Sequence, residues 1–307
     1  MKKIKQIIMK TGKDAHGDII EKKLLKIVMQ QIKRNDMLSY FEHDFRNPPI
    51  GKTVNADLKK LKDKNYIVRG KFLLFEENDI GKVDFSKKKI AQKIAKKNVL
   101  EISIDRNFII DKEIDELVDE LDKTINSNHE LHFEWKKSLE FFPELMFNIL
   151  VTFSITQLSS GFFTQIGIEG FNSLKNIIKK FKHKNIYDFQ VHFKVDIEMK
   201  NNEKIEYIEC LVIFTDPNEK SLENLLIRAF EKLEEKLKDD LFISKKPISK
   251  IVYNVKGDKI KFEYSLKPDG VPLEIANMEE YKKILNFMAK NLLKWINYRV
   301  KIEQNKS

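Results

Sequence analysis

Between Glu144 and Glu169 the chain runs for 24 residues, Leu145 to Ile168, without a formal charge. In a chain that is 34% charged, such a run has to be taken out of water or covered. Its length permits a membrane-spanning helix. Thirteen residues of the run are apolar, but nine are Ser, Thr, Asn or Gln, a polar load that favours a buried or inter-domain segment over lipid. Gly161 and Gly167, beside Ser159 and Ser160, would let a helix pack closely on a neighbour. Residues 136–186 are therefore expected to be an uncharged helical connector. Membrane association or homo-oligomerisation through 145–168 is the alternative to burial.

The connector divides a chain of 307 residues, a length that favours two domains. Ahead of it, residues 4–11 read as a strand and 19–34 as a helix with Ile20, Leu24, Ile27 and Val28 on one face. A hairpin is expected over 52–76 around the turn K-D-K-N, since Tyr66, Val68, Phe72 and Leu74 alternate. A lysine-studded helix over 86–98, the strand V-L-E-I-S-I-D and an acidic helix complete a mixed β domain over 1–135. Behind the connector, Phe189, Val191, Phe193, Val195 and Ile197 alternate as in a half-buried strand, leaving His192 on the solvent side. A second strand at 204–215, an amphipathic helix from Asp216, a hairpin over 248–266 and a final helix at 278–300 follow. That order, ββαββα with tight hairpins, implies an antiparallel binding or assembly domain over 187–307 and an α+β fold class overall.

Charge narrows the function classes. Lys and Arg number 57 against 47 Asp and Glu, a net +10. The first hundred residues hold 25 basic and 12 acidic groups, whereas residues 101–140 hold 5 and 12. Only six of the basic residues are arginine, the side chain that reads bases and grips phosphates with two bonds. Specific nucleic-acid binding is therefore not expected; the lysines are read either as a plain solvated surface or as a match for an acidic protein partner. Cys210 is the single cysteine, which excludes a disulfide scaffold and a Cys-rich zinc module. Lysines interrupt the opening M-K-K-I-K-Q-I-I-M-K, where a secretory signal needs an apolar run, so a cytoplasmic location is expected.

Two turns carry most of the chemistry-bearing residues. D-A-H-G-D holds Asp14, His16 and Asp18, with Asp18 and Glu21 spaced as a capping box for the helix. E-H-D-F-R-N-P-P-I-G holds His43 between Glu42 and Asp44, where neighbouring carboxylates stabilise an imidazolium and suit it to accept a proton. Pro48 and Pro49 stiffen that loop. Asp14, His16, Asp18, His43 and Asp44 are also ligand types for a divalent metal, but their spacing matches no closed ligand motif, and no cofactor is expected.

In this order, D-A-H-G-D, a helix, H-D-F-R-N-P-P-I-G, the hairpin Y-I-V-R-G-K-F and the strand L-E-I-S-I-D resemble the tailed-phage prohead protease family. That family's fold is akin to the herpesvirus capsid-maturation (assemblin) serine proteases. The resemblance covers about residues 4–135. It implies a serine peptidase in a phage-related setting, with His43 as general base and Ser103 as nucleophile, acting on itself or on a protein partner. His132 or Glu134 of H-E-L-H-F-E would orient the base. Asp14, His16, Asp18 and Asp44 would shape the substrate cleft. The chain departs from the family pattern at Ile104 and Asp105, where a small residue usually follows the serine strand. An acid there opposes a developing oxyanion. The alternative is thus a protease-like fold without proteolysis, binding a partner or a membrane.

Overall fold

A computed structural model describes residues 1–13, 19–34, 36–41, 44–81, 99–105, 130–136, 144–154, 172, 175–176, 179, 188–201, 204–216, 220, 222–225, 227–229, 231–232, 235 and 248–304. Mixed sheets with a few helices make the architecture α+β. The chain divides into two units, Met1–Ala91 with Leu266–Ser307, and Gln92–Ser265. The boundaries expected at 135 and 186 both fall inside the second unit.

Unit 1 contains β1 (Lys2–Lys10), β2 (Gly12–Lys13), β3 (Ile19–Ile20), α1 (Lys22–Arg34), β4 (Met37–Ser39), β5 (Gly51–Lys60) and β6 (Tyr66–Leu74). Strands β1, β6, β5 and β4 form one antiparallel sheet in that order. The hairpin turn falls on K-D-K-N, with Lys64 in the left-handed region at φ 65°. On β6 the alternating residues Val68, Gly70, Phe72 and Leu74 face one way. Val68 joins Leu25 and Ile32 of α1 and Ala56 in one core cluster, while Phe72 and Leu74 join Ile4 and Ile50 in another. Gly70 lies between the clusters. A Cβ there would meet Ile8 Cδ1 at 2.5 Å and Thr53 Cγ2 at 2.6 Å, so only glycine lets the two groups of side chains close over the strand.

Helix α1 starts later and turns further than the sequence suggests. Ile19 and Ile20 pair with Lys13 and Gly12 as β3 and β2, which removes them from the helix and moves its start to Lys22. The β-branched pair gains ladder hydrogen bonds that a helix start would not offer it. Leu25 and Ile32 are buried, whereas Leu24 and Ile27 are exposed. Apolar residues flank both sides of this helix, and the sheet selects one set.

Unit 2 contains β7 (Val99–Asp105), β8 (Glu130–Lys136), β9 (Glu144–Ser154), β10 (Asp188–Asn201), β11 (Lys204–Thr215), β12 (Lys250–Lys256) and β13 (Lys259–Leu266). They lie in the order β13-β12-β11-β10-β9-β7-β8. The pairs β7/β8, β9/β10 and β11/β12 are parallel, and β10/β11 and β7/β9 antiparallel. The expectation of a purely antiparallel C-terminal arrangement is corrected: the β10/β11 hairpin is antiparallel, but it pairs in parallel on both outer edges. The run C-L-V-I-F at 210–214 shows why, because Cys210 to Phe214 are all buried. A strand covered on both faces reads as continuously apolar. Residues 222–225 and 227–229 are helical, with Leu222, Leu225 and Ala229 buried.

The expected helical connector is corrected where it is described. Leu145 to Ser154 lie within the 11-residue strand β9, paired with β7 and β10. Phe147, Ile149, Val151, Thr152 and Phe153 are strand-favouring types, and a strand with partners on both sides needs no charge. Residues 172, 175–176 and 179 are helical, and 155–168 lie outside the described residues. Among the described residues, no helix is long and apolar enough to cross a membrane.

The chain re-enters unit 1 at Leu266. Strand β14 (Pro272–Ile275) and α2 (Met278–Gln304) follow. The final helix, expected to close the C-terminal domain, instead covers the N-terminal sheet: Tyr281 and Leu285 pack with Ile4, Ile50, Phe72 and Leu74.

Candidate functional site

Asp14, His16, Asp18 and His43 lie outside the described residues, as do the helices expected at 86–98 and after Asp105. Asp44 is described and is fully engaged within its own loop. Its Oδ1 accepts from the Arg46 backbone N–H and from Arg46 Nε, each at 2.9 Å, and its Oδ2 accepts from Arg46 Nη2 at 3.0 Å and Asn47 Nδ2 at 3.2 Å. With the Tyr40 and Phe45 rings 4.6 Å apart, this two-bond ion pair folds F-R-N back on itself ahead of the prolines.

Past the turn, Pro48, Pro49 and Ile50 are buried. The Ile50 N–H donates to Ser39 O, and Phe75 N–H donates to Ile50 O, both at 2.9 Å. The Pro49 carbonyl accepts from the Tyr281 hydroxyl of α2 at 2.7 Å. Burial, and then the charge of Asp79, push the Tyr281 phenol above its ordinary value, so it stays a donor at any physiological pH.

Two residues further on, Lys52 is 3% exposed. Its Nζ lies 2.8 Å from Asp36 Oδ2 and donates to the Asp269 carbonyl at 3.0 Å. Asp269 sits in the K-P-D-G turn before β14. There Gly270 N–H donates to Lys267 O at 2.8 Å, with Gly270 at φ 79°. Asp269 Oδ1 accepts from Val271 N–H, while its Oδ2 is buried without a hydrogen-bond partner. The loop carrying Asp44 is thus anchored by α2 through Tyr281 and by the K-P-D-G turn through Lys52. Sequence reasoning missed Lys52, Asp36 and Asp269, because a single lysine opening a strand carries no sign of a partner some two hundred residues away.

In unit 2 the register aligns the remaining expected residues. Ser103 of β7 pairs with Glu134 of β8 and with Asn148 of β9. Two residues back along β7, Glu101 pairs with His132 and with Leu150. Ser103, Glu134 and His132 therefore fall on adjacent strands within two residues of each other in register.

A polar group also runs across the middle of this sheet. Lys194 of β10 and Lys250 of β12 flank Glu209 of β11, at 3.2 Å and 2.8 Å. Burial pushes the Glu209 carboxyl up, but the charges of Lys250 and Lys194 and their hydrogen bonds outweigh it and hold the group at about 2. Earlier on β10, His192 is 1% exposed, and its Nε2 lies 2.8 Å from Oε1 of the buried Gln190. The solvent-facing placement expected for His192 is therefore corrected: its own face of β10 is buried at Gln190 and His192, and the neighbouring strand β11 is buried on both faces at 210–214. Among the described residues, no group of three or more His, Cys, Asp or Glu is placed to hold a metal ion.

Compared with known proteins, the chain matches no family model, no curated protein and no solved structure.

Proposed function

We propose that the chain is a serine-peptidase-like protein that acts on itself or on a protein partner, with Ser103 as nucleophile. The supporting observation is the β7/β8 register, in which Ser103 pairs with Glu134 and His132 lies two residues away along β8. A serine becomes a nucleophile when an imidazole takes its proton and an acid holds that imidazole in place. Glu134 or His132, close to Ser103 in register, is the residue that would orient the base. His43, carried over from the prohead-protease resemblance, is the general base. The hydroxyl attacks a peptide carbonyl, the amine leaves with the proton, and water releases the acyl group. The test is labelling by a fluorophosphonate probe. Wild type is expected to label, and Ser103→Ala to lose the label by roughly a thousandfold or more in rate. Absence of labelling in wild type, or equal labelling of Ser103→Ala, overturns the proposal.

A second reading keeps the fold without proteolysis and gives it a partner to bind. Strand β7 pairs with β8 on one edge and β9 on the other, which commits backbone N–H groups around Ser103 to the ladders and leaves fewer donors for an oxyanion. Under this reading the probe labels nothing, and a defined partner is captured equally by wild type and Ser103→Ala.

A further inference from the structure

Helix α1 buries Leu25 and Ile32 against the sheet, and this orientation turns Leu24 and Ile27 outward, at 42% and 44% exposure. They lie three residues apart, one turn along the same side. Lys23 precedes Leu24, Lys26 precedes Ile27, and Arg34 lies two turns beyond Ile27; all three are exposed. The segment 22–34 contains no acidic residue. Its first turn opens with Lys22 and Lys23 and carries no acid, although the positive end of a helix dipole disfavours cations there. Lys22 offsets that by resting 4.0 Å above the Tyr66 ring. Lys23 has no such ring beneath it among the described contacts. Exposed Glu21 directly precedes Lys22 at this end, and the helix keeps two unburied aliphatic side chains on one outer face.

We propose that this face docks on an anionic lipid surface. Charge complementarity and the aliphatic pair act together. Lysine and arginine near an anionic bilayer each contribute about 1 kcal/mol, or roughly fivefold in partitioning, and leucine and isoleucine enter the headgroup–acyl boundary from between them. A polyphosphate backbone would reward the lysines but leave Leu24 and Ile27 in water, so nucleic acid fits less well. This docking does not depend on the peptidase reading, and it uses a segment other than 145–168.

The test is flotation of the full chain with phosphatidylcholine vesicles, with and without phosphatidylglycerol, at low and high salt. The chain is expected to float only with the anionic vesicles and to be released by salt, which screens the attraction. The double variant Lys23→Gln/Lys26→Gln is expected to partition about 30-fold more weakly. Leu24→Ser/Ile27→Ser is expected to lose about 10-fold with unchanged circular dichroism, since both side chains are already exposed. No flotation with anionic vesicles overturns the proposal, and so does flotation that neither double variant weakens. A loss in the glutamine variant with none in the serine variant also overturns it, because the face would then hold the vesicle by charge alone without inserting Leu24 and Ile27.

Discussion

Unit 1 holds a buried ionic cluster and unit 2 a half-buried one, and the two are built with opposite signs at the centre. In unit 1 the centre is a cation: Lys52, with one carboxylate from Asp36 and a neutral carbonyl from Asp269. In unit 2 the centre is an anion: Glu209, with two lysines from the flanking strands. The first cluster joins segments far apart in the chain and so fixes where the K-P-D-G turn goes. The second lies across three neighbouring strands and fixes their relative register. A charge taken out of water can thus record connectivity or alignment, and the number of its counter-charges decides how much is lost with it. A charge deprived of its partner inside a protein costs far more than the pair contributes in place.

The largest effect is expected at Glu209. Glu209→Gln leaves two lysines facing a neutral amide, and a loss of about 4 kcal/mol is expected in urea unfolding; a midpoint within error of wild type would refute the cluster's role. The effect carries a pH signature. The folded carboxyl is held at about 2 against an ordinary 4.5, so its contribution is complete above pH 4.5 and is lost as pH falls from there toward 2. The stability of wild type is expected to fall more steeply across that window than that of Glu209→Gln. A smaller loss, about 3 kcal/mol, is expected for Lys52→Met, which strands Asp36 without its cation. If Lys52→Met proves neutral, the connectivity role belongs to α2 packing alone. The smallest change is Tyr281→Phe, which leaves the buried Pro49 carbonyl without its donor and should cost about 1–2 kcal/mol. Amide exchange read separately in 44–50 and in β11 sharpens the contrast: Tyr281→Phe is expected to loosen the former and leave the latter unchanged.

Local pattern made parts of this molecule legible. The β5/β6 hairpin followed from alternation around K-D-K-N, and α2 from Tyr281, Ile284, Leu285 and Met288 at helical spacing. Neither pattern says what the apolar face will cover, so α2 was expected in the wrong unit. In α1 two apolar sets compete, and only the shape of the β5/β6 surface chooses Leu25 and Ile32 over Leu24 and Ile27. The uncharged run from Leu145 was read as helical, but a strand flanked by strands and a buried helix share that signature. Of the candidate site, Ser103's strand and its residue boundaries were legible, whereas its pairing with Glu134 was not. Register is set by contacts between segments, and single-chain spacing does not contain it.

The construction of unit 1 from two separated stretches also imposes an order in time. On the ribosome, Met1–Ala91 emerges with one face of its sheet finished by α1 at one end and bare at Ile4, Ile50, Phe72 and Leu74. That bare end stays uncovered while all of Gln92–Ser265 is being made, and it closes only when Tyr281 and Leu285 arrive. At about 5–20 residues per second this is a wait on the order of ten seconds or more. The Pro49 carbonyl therefore gains its Tyr281 donor only after synthesis has passed the start of α2.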